Sequence, residues 1–150
     1  MNDIASLFHG TLFAYQKTLR NEAGDSSKPI QSIIDELGDT LLSNTIKYNE
    51  GDFEKVFNGF AEKINPTGAA KVSLEKVSPM QYKIHVENCL WAEHIHHHMC
   101  SDDSTCPYAL VTMAMLQKVS GRDVSIVNSQ YLTQGTVTEV RPVSILIDDK

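Results

Sequence analysis

The chain has 150 residues, 41% of them hydrophobic and 21% charged, which suits one compact domain and excludes a multidomain machine. Its 19 acidic residues against 13 Lys and Arg leave a formal charge of −6, so a surface that binds nucleic acid by neutralising phosphates is not expected. No run approaches the roughly 18 apolar residues of a spanning helix, and Asp3, His9 and Lys17 interrupt the first twenty residues where a signal peptide would be apolar. The chain reads as cytoplasmic, with no membrane span.

Residues 3–20 place Ile4, Leu7, Phe8, Leu12, Tyr15 and Leu19 at steps of three and four, a helical stripe suited to face a core. A polar segment, NEAGDSSK at 21–28, precedes Pro29, whose fixed φ fits a first helical turn. A second stripe, Ile30, Ile33, Ile34, Leu37, Leu41, Leu42 and Ile46, carries a helix to about Tyr48, with Gly38 as a weak point. Asp52 is placed to cap a third helix with Phe53, Val56, Phe57 and Phe60 on one face, closed by NPTG at 65–68. Residues 1–65 therefore read as the helical part of a single domain.

From residue 70 the period drops to two. Val72 and Leu74, then Tyr82, Ile84 and Val86, predict a hairpin turning at Ser78-Pro79. Residues 88–105 have no steady period. Cys106-Pro107 opens an apolar run, Tyr108 to Val119, ended by Gly121, which predicts a fourth helix. Strands over Val124–Leu132 and Thr136–Ile147 follow, joined near Gly135, with Pro142 marking an edge or a bulge in the last one. The expectation is an α+β fold in the order α-α-α-β-β-α-β-β, helices packed on an antiparallel sheet.

Chemistry concentrates in one segment. All three cysteines and five of the six histidines lie between His85 and Cys106, and thiolate and imidazole are the donors that zinc prefers. An odd number of cysteines suits ligation better than a disulfide framework. Cys89, Cys100, Cys106, His94 and His98 are the candidate metal ligands, although the spacing lacks the paired C-x-x-C knuckles of a zinc finger. Glu87 and Glu93 are placed to ligate the metal, to orient a histidine or to serve as a base beside metal-bound water. Cys106 at a helix start is where the dipole lowers a thiol pKa. His85 alternates with Ile84 and Val86, so it faces away from the core. No phosphate loop, dinucleotide fingerprint, G-x-S-x-G elbow or H-E-x-x-H helix occurs.

The stretches V-E-N-C-L-W-A-E at 86–93, C-P-Y-A-L at 106–110, S-G-R-D-V-S-I at 120–126 and T-Q-G-T at 133–136 resemble the 4-vinyl reductase domain, a family placed with small-molecule sensors and transport-particle subunits. The resemblance covers about the last 65 residues. It implies an α+β hydrocarbon-binding fold, frequently dimeric, often with a bound zinc and an apolar cavity. Cys106, Gly121 and Gly135 match family positions. The family's cysteines in the last hairpin are absent: residues 128–131 read Asn-Ser-Gln-Tyr, so Cys89, Cys100 and the histidines must take their place. The 86–93 stretch is also similar to a segment of the thiazoline-carboxylate hydrolase-like family.

Three functions follow as expectations. The first is a small-molecule-binding or sensory module, a homodimer with a Cys/His zinc site and a small apolar ligand held by Phe57, Phe60, Met113 and Met115. The second is a metal-dependent hydrolase using zinc-activated water. The third is a structural assembly subunit.

Overall fold

The computed structural model describes residues 2–24, 27–42, 51–92, 96–99 and 104–143. Within them, four α-helices and four strands follow the expected order, and the strands form one antiparallel sheet.

The first helix, α1, spans Asn2–Ala23, and α2 spans Ser27–Leu37. The chain then loosens into a π turn over Gly38–Leu42, and residues 43–50, where the second helix is expected to end near Tyr48, lie outside the described residues. Space is tight at Gly38. A Cβ there would lie 2.8 Å from Lys118 Cε, while the Lys118 ammonium donates to Asp39 at 2.9 Å. The third helix, α3 (Phe53–Ile64), starts where Asp52 accepts from the Glu54 amide at 3.0 Å, satisfying one of the amides left open at a helix start. Phe53, Val56, Phe57 and Phe60 are buried on its inner face.

Asn65 then substitutes for a neighbouring strand. Its side chain accepts from the Val72 amide at 2.8 Å and donates to the Val72 carbonyl at 3.2 Å, pairing backbone groups that an edge strand would leave open. Strand β1 (Lys71–Ser78) turns at Pro79-Met80 into β2 (Gln81–Glu87). Helix α4 (Pro107–Ser120) begins with proline at the first helical position and ends at Gly121, whose φ of 67° lets its amide reach the Gln117 carbonyl at 2.8 Å. Strands β3 (Val124–Leu132) and β4 (Gly135–Pro142) complete the sheet in the order β1-β2-β4-β3.

This order corrects the expectation for the last strand. β4 ends at Pro142 and lies inside the sheet, paired with both β2 and β3. Pro142 sits beyond Val140, the last residue that pairs with β2, so its missing amide does not interrupt the β2 ladder, and opposite β3 it is paired with Val124. The bulge falls instead in β3, between Ile126 and Asn128.

Register puts Val72, Tyr82, Ile84, Val86, Thr138 and Val140 under the helices. Phe53 packs against Tyr82 with ring centroids 4.8 Å apart. α3 covers β1, α4 lies against β2, β3 and β4, and α2 packs on α4 from the other side. Enclosed by both layers, α4 buries eight residues around its circumference and shows little amphipathic segregation, as expected of a core helix.

α1 overturns an expectation. Its apolar stripe does not face the core: Leu7, Phe8, Leu12, Tyr15 and Leu19 are exposed, whereas His9, Gln16 and Arg20 are buried. Hydrogen bonds decide the orientation. Gln16 and Arg20 both bond to Thr105, just before α4, and a buried backbone group without a partner costs about 1–3 kcal/mol. No described helix is long and apolar enough to cross a membrane.

Candidate functional site

β2 leaves the sheet at Asn88, whose φ of 50° is a left-handed conformation that asparagine tolerates better than most side chains. The reversal places the Cys89 amide against the Gln134 carbonyl at 2.8 Å and the Leu90 amide against the Ala69 carbonyl at 2.9 Å. Cys89 is thereby held between the β3–β4 turn and the entry to β1. Further on, a short 3-10 turn over His96–His98 buries His96 and exposes His97 and His98. Ser104, Thr105 and Cys106, the approach to α4, are buried as well.

Rings connect these pieces. His9 from α1 lies 5.4 Å from His96 and 6.1 Å from Trp91, centroid to centroid. Trp91 stacks on Tyr108 at 5.7 Å, and His96 meets Tyr131 edge-on at 4.9 Å. The Tyr131 hydroxyl and the Ser104 hydroxyl are 2.8 Å apart. The cluster therefore has an imidazole part, His9 and His96, and a thiol part, Cys89 and Cys106, linked by Trp91 and Tyr108.

The two imidazoles differ. His96 Nδ1 lies 2.8 Å from the Leu132 carbonyl, and because a carbonyl only accepts, Nδ1 carries the proton and Nε2 keeps its lone pair. His9 is 4% exposed, yet neither ring nitrogen has a hydrogen-bond partner. The void beside it, lined in part by Gln16, Ser104 and Tyr131, has about 160 Å³ of free space and is too narrow to seat a water. Burial, with a smaller contribution from the charge of His96, lowers the His9 pKa to about 4. Burial also lowers that of His96, against the carbonyls of Leu132 and Gly135. Both rings are neutral near pH 7 and available as donors.

The thiols are held neutral too. Burial pushes Cys89 up to about 11, against the Trp91 amide and with a further push from Cys106. Burial raises Cys106 as well, overriding the Thr136 hydroxyl and the amides of Ala109 and Tyr108 at the helix start. The expectation that the helix dipole lowers this thiol's pKa is thus corrected: desolvation wins over the dipole.

Of the other residues singled out by sequence, His94, Cys100 and Glu93 lie outside the described residues. His98 is exposed, its ring 3.8 Å from that of His97. His85 points away from the helices, as expected, and pairs with Glu75 at 2.7 Å. Glu87 is exposed and 3.8 Å from Lys71. Phe57, Phe60, Met113 and Met115 are all buried in the packed core, Phe57 edge-on to Phe60 at 6.1 Å. Among the described residues no three thiol, imidazole or carboxylate groups converge on one point, so this part of the chain does not by itself close a four-ligand zinc site.

His9 was missed by sequence reasoning because nothing around it marks it. The usable signal is the spacing of His9, Gln16 and Arg20, a polar stripe at helical period roughly a quarter turn around the helix from the apolar one. No protein-family model matches the chain, and no curated protein is significantly similar to it.

Proposed function

We propose that the protein is a cytoplasmic small-molecule-binding or sensory module, acting as a homodimer, in which a transition metal is held between His9 and His96. Zinc is the metal that this donor type selects. Two protein ligands leave further coordination positions unfilled, and the largely apolar walls of Trp91, Tyr108 and Tyr131 must shift for a small molecule to reach them.

The observation that carries this reading is the unpartnered His9 ring. A buried polar group without a partner is destabilising, and the narrow space beside it suits a bare ion better than water. The spacing agrees. With zinc–nitrogen bonds near 2.1 Å and a tetrahedral angle, two imidazole centroids lie about 5.2 Å apart, against 5.4 Å here. The Leu132 carbonyl fixes His96 in the tautomer that offers Nε2, the orienting partner that metal-bound imidazoles commonly have. When bound, the metal supplies a Lewis-acid centre. The chain's own residues exclude water around it, while Gln16 and Arg20 hold α1 in place.

Elemental analysis of untagged protein and titration with cobalt(II), read by visible absorption, test the reading. One metal per chain is expected, lost in both His9→Ala and His96→Ala. Metal lost in Cys106→Ala but kept in His9→Ala would move the site to the thiols and overturn the imidazole assignment. Protein that takes up no metal after growth with zinc would overturn the metal reading altogether.

A further inference from the structure

α1 is turned inside out relative to an ordinary surface helix. Its polar residues His9, Gln16 and Arg20 face the protein, and its large apolar residues face outward, each between 44% and 67% exposed. The helix cannot roll over to hide them, because Gln16 and Arg20 are fastened to Thr105 by three hydrogen bonds. We infer that this outward stripe is the surface on which a second copy of the chain docks, α1 against α1 in antiparallel orientation about a twofold axis. The inference rests on the homodimer reading above and assigns it a surface.

Three observations favour a second copy. Phe8, Leu12, Tyr15 and Leu19 follow steps of four, three and four, the spacing of a seam between two helices. An antiparallel twofold pair centred between Leu12 and Tyr15 sets Leu12 against Tyr15 and Phe8 against Leu19, so the stripe complements itself, as an isologous interface requires. Beside the seam, Gly10 and Ala14 leave an open hollow of about 560 Å³ between Leu7 and Tyr15, which the partner's side chains can fill.

Area points the same way. At roughly 150–250 Å² per large side chain, the five residues expose on the order of 500 Å². A symmetric pair then buries about 1,000 Å² from them alone, where specific interfaces begin.

Charge favours self-association over a membrane surface. α1 carries Asp3 and Glu22 against Lys17 and Arg20, a balance of zero inside a chain of charge −6. A lipid-binding helix instead carries excess Lys and Arg beside its apolar face.

Sedimentation equilibrium of the full chain tests the proposal, using wild type, Leu12→Glu, Tyr15→Lys and, as a control, Val77→Glu, a comparably exposed apolar residue of the edge strand β1. A wild-type dimer is expected, with association weakened roughly thirtyfold or more in either α1 variant and unchanged in the control. The exposed α1 positions leave the protomer's circular dichroism and melting temperature intact, which verifies folding. A wild-type dimer undisturbed by both α1 variants overturns the surface and leaves the homodimer reading standing. A wild-type monomer at all concentrations overturns both, and a monomer that binds vesicles of anionic phospholipid shows a membrane as the occupant instead.

Discussion

The side chain of Gln16 pairs with the backbone of Thr105 as a strand would: its oxygen accepts from the Thr105 amide at 2.8 Å and its nitrogen donates to the Thr105 carbonyl at 3.0 Å. Arg20, one helical turn further on, donates to the Thr105 hydroxyl at 2.6 Å. This one residue of the approach to α4 thus fastens two side chains of α1, the helix that carries His9.

Gln16→Leu removes both bonds while keeping an apolar stem, and it leaves a buried amide and carbonyl unpaired. The expected loss is roughly 3 kcal/mol, read as a lower urea midpoint with an unchanged slope. Thr18→Ala, on the exposed side of the same helix, should change stability by less than about 0.5 kcal/mol.

The buried histidines make the metal-free protein sensitive to acid. For His9 the folded pKa is about 4 against 6.5 for the free side chain. The unfolded chain therefore binds the proton first. The stabilising difference is complete above about pH 6.5 and is lost as pH falls toward about 4, on the order of 3 kcal/mol in all. His96 is shifted in the same direction. Urea melts at about pH 7 and about pH 5 should show a smaller fall for His9→Phe than for wild type. Equal falls would show that His9 does not titrate in this way.

Both described thiols should be slow to react. Buried and shifted upward, Cys89 and Cys106 present almost no thiolate at neutral pH. Native protein treated with an alkylating agent should leave both unlabelled by peptide mass spectrometry, with full labelling after denaturation. Rapid native labelling of Cys106 would restore the reactive thiol suggested by its place at a helix start.

Gly135 tolerates no side chain. A Cβ there would lie 1.7 Å from the Val86 carbonyl oxygen, a backbone atom of the paired strand β2. Gly135→Ala should therefore force β2 and β4 apart and lower stability by about 4 kcal/mol or more, or abolish folding. A melting temperature within a few degrees of wild type would contradict the close approach.

The elements were legible where local chemistry specifies them. Pro107 and Gly121 bracket α4, Asp52 starts α3, and period-two alternation marks the strands. Less was legible wherever tertiary contacts decide. The repeat of Leu12, Tyr15 and Leu19 shows that α1 has an apolar face, but periodicity does not say what covers it. The tie between Gln16 and Thr105, distant in sequence, sets that orientation. The same holds for the site. The histidine-rich segment was visible, but it contributes His96 to the cluster rather than the exposed His98, and His9 arrives from the far end of the chain.

The strand order also bears on how the chain folds. β1 with β2, and β3 with β4, are hairpins that close locally, a step on the order of microseconds. Among the described strands, the seam between β2 and β4 is the pairing that joins residues far apart in sequence, such as Ile84 and Thr138. The entropy of closing that long loop is spent before its contacts form. Substitutions along the seam should therefore slow folding, whereas those on the outer side of β1 should chiefly hasten unfolding.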